Sequence, residues 1–340
     1  MSLYHCFAYI RILHQLCDQP GLQALGNIDP KLHQKPEELL RYRNAIFKKS
    51  CLCLLRMYRS NPDCVDPAQW AAVFPSLLES DNLGVLTSAM SLLLSFTSHN
   101  HHLFEDLVPH VLYLFQRVLF RVGSGVAMDY TYYRIPSPWL QIKLLRFLQY
   151  FSPPEGEYWR IMSDVLYKIL TKVDITEDGG VNKGNAEYAI SFEAIALVVS
   201  WGAADPANSQ HVEIHTLTHQ LLGKYIAESD PNVRYLSMDM LVRVVKVDGI
   251  SDVQRYQDII IGALNDNDMS VRKRALEVVY LITDKTNAES VVSELVLALE
   301  TAESDMRDEM VMKIAILAER FYTSTQWYLG ECPPARHIVL

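Results

Sequence analysis

Three histidines spaced four residues apart, His211, His215 and His219, are the residues in this chain best placed to do chemistry. On a continuous helix that spacing puts all three rings on one face. Two such imidazoles can hold a zinc ion, but a catalytic centre needs a third ligand and a positioned base. Glu213 projects nearly opposite, and no H-E-x-x-H sequence occurs. The plain reading is a solvated helix face, with no metal, cofactor or catalytic residue expected. His99, His101 and His102 fall in an expected turn and carry still less. Glu193, inside the apolar run SFEAIALVV, reads as an acid that faces solvent or caps a neighbour.

Other reactive patterns are missing from the sequence. Gly179-Gly180 precedes Val181 and Asn182 without the lysine of a phosphate-binding loop, and no G-x-S-x-G occurs. The six cysteines are scattered, with no C-x-x-C pair, as expected for buried thiols in a reducing compartment. The five tryptophans are spread through the chain, which suits core and edge packing better than a stacking platform.

Composition narrows the function further. The chain has 340 residues, 49% of them apolar and 21% charged, with a formal net charge of −9. That balance argues against a nucleic-acid binder, which needs clustered Lys and Arg. Charge is uneven: residues 1–60 hold nine Lys or Arg against four Asp or Glu, a net of +5, leaving −14 for the remainder. A solvated helix face with a flexible arm accounts for the basic start more simply than a membrane-surface patch. The opening MSLYHCFAYIR lacks a basic n-region, so no targeting segment is expected. The uncharged stretch 82–104 is long enough to cross a bilayer, but its Ser, Thr, His and Asn content points to a core helix followed by a polar turn.

The elements that would position these residues are helices that repeat. SDPNVRYLSMDMLVRVV around Asp230 is echoed by NDMSVRKRALEVVYLI around Asp268 and SDMRDEMVMKIAILAERF around Asp305. Arg234 to Arg272 is 38 residues and Arg272 to Arg307 is 35, the period of stacked helix pairs. After Asp230 the apolar positions are Val233, Leu236, Met240, Leu241, Val244 and Val245; after Asp268 they are Val271, Ala275, Val278, Val279 and Ile282. Asp230, Asp268 and Ser304 are the expected N-caps. Thirteen helices are expected, near 48–58, 67–79, 83–97, 103–121, 137–151, 158–172, 185–200, 211–227, 231–246, 252–264, 268–283, 287–300 and 304–322. No strand pattern bounded by hairpin turns is evident. The segment 174–184 reads as a mobile loop. Arg234 and Arg272 are expected to reach the Asp of an adjacent repeat, forming a ladder. The fold class is therefore all-α, an α-solenoid of HEAT/armadillo-like repeats, expected to be a curved, elongated right-handed superhelix.

From Asp129 the sequence DYTYYRIPSPWLQIKLLRFLQYFSPPE resembles the trunk of the alpha-adaptins, large subunits of the plasma-membrane clathrin adaptor complex. Other similar stretches lie along the chain in the family's order: KKSCLCLLRMYRSNPD from Lys48, LGVLTSAMSLL from Leu83, GNAEYAISFEAI from Gly184, DPNVRYLSMDML from Asp230, MSVRKRALEVVYLITDKTNA from Met269 and LETAESDMRDEMVMKIAILAERF from Leu299. Tyr132-Tyr133 ahead of IPSPWL favours the alpha type over gamma-type adaptins. The resemblance implies a non-enzymatic scaffold that binds a beta-type adaptin and the medium and small adaptor subunits. It would act in clathrin-mediated endocytosis at the cytosolic face of the plasma membrane, in coated pits. It covers 48–329; residues 1–47 and the tail 330–340 do not match. No counterpart is found for the family's phosphoinositide-binding N-terminus, its part of the acidic dileucine cargo site, or its hinge and appendage. The expectation is a trunk fragment, from a truncated gene model or a splice variant. Another helical-repeat scaffold, such as a transport receptor or phosphatase scaffold, is the alternative. A helical metal-dependent hydrolase using the three histidines is the enzyme alternative.

Overall fold

The computed structural model describes residues 36–120, 130–171, 180–321 and 327. Helices dominate, and the chain divides into two compact units, 1–201 and 202–340.

In the first unit the helices are α1 (Pro36–Ser60), α2 (Ala68–Ala71), α3 (Phe74–Leu78), α4 (Leu83–Asn100), α5 (Val108–Phe120), α6 (Pro138–Leu148), α7 (Gly156–Thr171) and α8 (Gly180–Ser200). They pack in two rows: α1 against α4, α4 against α6 and α6 against α8 in one, α3 against α5 and α5 against α7 in the other. The rows meet through α3 and α4, α5 and α6, and α7 and α8, which is how stacked pairs share a continuous core. Its aromatic centre is Phe96, in edge-on contact with Tyr58 (ring centroids 4.8 Å apart) and Phe74 (6.2 Å) and stacked on Phe104 at 6.3 Å.

Helix α4 shows how polar side chains enter this core. The Asn82 side chain caps it, accepting from the Val85 N–H at 3.1 Å. The hydroxyls of Thr87, Ser88, Ser91 and Thr97 each donate to the carbonyl four residues back, at 2.7–2.8 Å, so none is buried unpaired. The helix runs on to Asn100, through the polar residues expected to form a turn. No helix among the described residues is long and apolar enough to cross a membrane.

A two-residue hairpin departs from the all-helical expectation. Strands β1 (Thr131–Tyr132) and β2 (Ile135–Pro136) pair antiparallel, with Tyr133 and Arg134 turning at φ 47° and 69°. Such turns usually announce themselves through Asn-Gly; here Tyr-Arg supplies the positive φ, so no signal was visible. The exposed Trp139 packs edge-on against Tyr132 at 5.1 Å, while Trp70 and Trp159 are buried.

The second unit holds α9 (Ser209–Tyr225), α10 (Pro231–Asp248), α11 (Ser251–Gln254), α12 (Gln257–Gly262), α13 (Met269–Ile282), α14 (Ala288–Thr301) and α15 (Ser304–Arg320). Helices α10, α13 and α15 form one row. Helix α9 packs on α10, α12 on α13, and α14 on α15. Asp230 caps α10 ahead of Pro231, accepting from the Asn232 N–H at 2.8 Å, and Asp268 caps α13 through the Ser270 and Val271 N–H groups.

Several expectations need correction. Glu303, not Ser304, occupies the cap position of α15, and its side chain makes no capping bond. The expected helix 67–79 is two short helices, because Pro75 favours the first turn of a new one. The expected helix 252–264 is α11, α12 and a 3₁₀ turn. Gly180–Gly184, expected as loop, is the start of α8, and residues 172–179 lie outside the described set. On α10 Leu236 is exposed, whereas Met238 and Val242 are buried. On α13 all five expected positions are buried.

The turn 284–287 between α13 and α14 is organised by one carboxylate. Asp284 accepts from the Thr286 hydroxyl and N–H at 2.5 and 2.7 Å, and from the Gln254 amide at 2.8 Å. The Thr286 hydroxyl, then the Gln254 amide, lower its carboxyl pKa to about 2. An unfolded Asp titrates near ~3.9. The contribution is therefore fully present above about pH 4 and lost as pH falls through about 2. Thermal melts of wild type and Asp284→Asn from pH 6 down to pH 2 should show a gap that closes on acidification. A gap independent of pH would refute the role.

Candidate functional site: a buried histidine ridge and an arginine ladder

Helix α9 starts where the Asn208 side chain accepts from the Gln210 and His211 N–H groups at 3.1 and 3.2 Å. The helix lays Ile214, Leu221, Leu222 and Tyr225 into the core of the second unit. The three histidines share that face. His211, His215 and His219 are 6%, 4% and 7% exposed, so the expected solvated face is wrong. Val212 and Glu213 point outward instead. The rings form a ridge with edge-on contacts, His211 to His215 at 5.0 Å and His215 to His219 at 6.3 Å.

What makes this burial tolerable is a carboxylate from another helix. Asp248, the last residue of α10, points Oδ2 at His219 Nε2 (3.1 Å) and His215 Nδ1 (3.5 Å). His219 Nδ1 lies 3.5 Å from Oδ2 of Asp252 on α11, which also pairs with Arg255. His211 Nδ1 accepts from the Asp205 N–H at 3.1 Å and closes the turn before the helix. Burial by itself would raise the Asp248 pKa, but hydrogen bonds from His215 and His219 outweigh it and hold the carboxyl well below its usual range. Burial, and then the neighbouring His215, push the His211 imidazole down.

Beside the ridge a tyrosine ring packs directly on the backbone of α9. The Tyr256 hydroxyl donates to the His219 carbonyl at 3.0 Å, and its ring lies over Gly223 where a Cβ would sit. Glycine at 223 is what admits that ring. His99, His101 and His102 are exposed. Among the described residues, His215, His219 and Asp248 are the group whose ligand atoms converge, within 4.8 Å of one another. Asp248 is the member that reading the sequence missed, since it lies 29 residues beyond His219 with no motif to join them.

The arginine ladder is real and more specific than expected. Arg234 on α10 forks onto Asp266, in the turn before α13, with Nε–Oδ2 2.7 Å and a terminal nitrogen–Oδ1 2.9 Å. Its other terminal nitrogen donates to the carbonyls of Glu228 and Ser229, both at 2.7 Å. Burial opposes ionisation of Asp266, but the Arg234 bonds prevail and lower its pKa. One rung on, Arg272 of α13 meets Glu303 before α15 at 2.7 Å, a glutamate where an aspartate was expected. Arg307 donates to the Ala302 carbonyl at 2.9 Å. In the first unit Arg146 on α6 donates to Glu193 on α8 at 2.7 Å, and the Gln149 amide adds a bond at 3.0 Å. Glu193 thus bridges two helices, neither facing solvent freely nor capping a neighbour.

These pairs tie consecutive repeats and bring no nucleophile to a base. The groove beside α5, lined by Glu79, His110, Tyr113, Arg117 and Phe120, holds Arg117 donating to the carbonyls of Leu78, Glu79 and Ser80, which closes off α3.

Comparison with known proteins agrees with this architecture. An alpha subunit of the AP-2 complex from Arabidopsis thaliana, alpha-1, is 41% identical over 289 residues, covering 84% of this chain and 28% of that protein. An AP-2 complex alpha-2 subunit from Dictyostelium discoideum is 34% identical over 321 residues, 93% of this chain and 31% of that one. The chain therefore spans roughly three-tenths of these relatives. A homology model of the full-length AP-3 complex in an intermediate open conformation shares the fold at a TM-score of 0.50 and 17% identity, covering 99% of this chain and 53% of that one. The family described as the adaptin N terminal region matches residues 30–330, nearly the whole of both helical units, and the chain belongs to that family.

Proposed function

We propose that this chain is a non-enzymatic scaffold segment of a clathrin adaptor coat, acting in clathrin-mediated endocytosis and vesicle-mediated protein transport. It works by binding a beta-type adaptin and the medium and small adaptor subunits, at the cytosolic face of the plasma membrane in coated pits. The observation that carries this reading is the family match over 30–330, with AP-2 alpha subunits among the relatives. The interior supports it. Pairs such as Arg234–Asp266 and Arg146–Glu193 fix neighbouring repeats, so surface residues are held at set spacings. Weak contacts at several such positions then act together, because once one is made the next is intramolecular.

Co-expression with a beta-type large subunit and the medium and small subunits tests the reading. The chain should co-elute with them at equal stoichiometry in size-exclusion chromatography. Elution of the chain by itself, with the other three assembled without it, would overturn the proposal.

A further inference from the structure

The ridge of α9 brings two imidazoles and a carboxylate from a second helix to one point. Asp248 has only 8% of its side chain exposed, and it sits at the C-terminal end of α10, where the helix dipole already presents negative charge. Among the described ion pairs its partners are two imidazoles, and neither Lys nor Arg reaches it. His215 is just as buried, yet its Nε2 has no hydrogen-bond partner and its Nδ1 stands a long 3.5 Å from the carboxylate. A carboxylate shielded from water, with two imidazole nitrogens turned toward one of its oxygens, gathers the donor atoms that a cation takes.

From this geometry we infer a divalent metal site formed by His215, His219 and Asp248, with zinc as the ion it takes. Three observations carry it. The donor atoms converge within 4.8 Å. The two N···O separations, 3.1 and 3.5 Å, lie near the ~3.3 Å edge of a tetrahedron with bonds of about 2.0–2.1 Å, and the donor set, spread over up to 4.8 Å, has to draw in around the ion. His219 also turns its second nitrogen to Asp252 at 3.5 Å, the carboxylate–imidazole–metal relay that orients a ligating histidine and raises its basicity. Two imidazoles with one carboxylate suit zinc; magnesium and calcium prefer all-oxygen sets. Water fills the fourth position. The ion neutralises the Asp248 charge and staples the middle of α9 to the end of α10, next to the break at Gly249 (φ 88°). The ion ties one helix pair of the array through three protein ligands, one fewer than the closed sites of structural zinc.

The test uses the full chain, purified, stripped with chelator and dialysed against zinc chloride. One equivalent of zinc per chain should remain, and cobalt(II) in its place should give the intense visible bands of a tetrahedral ion. His219→Ala and Asp248→Ala should lose this uptake. Asp252→Ala, at a half-exposed position that should not endanger folding, should bind about 10–100-fold more weakly. A His101→Ala/His102→Ala variant, altering the exposed pair, should bind like wild type. No retained zinc, an octahedral cobalt spectrum, wild-type affinity in Asp252→Ala, or loss of uptake in the His101/His102 variant would each overturn the assignment. The wild-type cobalt spectrum decides the matter even if a ligand variant fails to fold.

Discussion

Truncating Phe96 to alanine is expected to destabilise the first unit by about 3–5 kcal/mol. The ring is fully buried and meets Tyr58, Phe74 and Phe104, three residues from three different segments. Removing it forfeits both the transfer free energy of a phenyl group and the edge-on contacts, and it leaves a void that the surrounding helices close only in part. Burial of a Phe side chain is worth about 1.5–3 kcal/mol by area, so the cavity and the lost aromatic pairs account for the rest. Phe96→Leu should recover a large part of the loss. Urea unfolding followed by tryptophan fluorescence is a suitable readout, because Trp70, Trp139, Trp159 and Trp201 all lie in the first unit. A loss under about 1 kcal/mol would show that the cluster does not organise this core.

Arg234→Ala is expected to cost about 2–4 kcal/mol in the second unit. Exposed ion pairs contribute at most about 1 kcal/mol, whereas breaking a buried pair costs ~3–5 because a charge is stranded. Arg234 and Asp266 have side chains 17% and 10% exposed, so the pair is largely shielded from water. The alanine variant strands the Asp266 carboxylate and removes the donor from two carbonyls. Lysine should rescue only part of this, since an ammonium cannot make the two-pronged fork. The next rung supplies the internal control. Glu303 is 61% exposed, so Arg272→Ala should cost about 1 kcal/mol or less. Equal losses at the two positions, read by circular dichroism in urea, would show that burial does not set the strength of the ladder.

The relation between these two rungs also shows where a local reading stops. The 38- and 35-residue steps between the arginines give the repeat, and the repeat gives partners in the following turn. Whether that partner is a shielded Asp266 or a solvated Glu303 depends on how tightly each turn packs, and no spacing records it. Likewise the caps at Asp230 and Asp268 were legible because a cap is a contact over two or three residues. The cap at Glu303 was not, since two adjacent polar residues compete for the position and backbone geometry chooses between them.

The ridge of α9 is the sharpest case. Its histidine spacing, and hence the shared face, follow from 3.6 residues per turn and needed no structure. The environment of that face did. Polar side chains at helical spacing usually mean solvent, and the feature that reverses the inference, Asp248, arrives from a different helix. By itself the sequence determined the all-helical class, the period, most helix positions and the adaptin resemblance, because each is written in contacts over a few residues or in a recurring pattern. Only the tertiary structure decided which way α9 is rotated, which acid meets its imidazoles and which acid of the ladder is shielded. Those outcomes depend on side chains about thirty residues apart that meet only once the helix pairs have stacked.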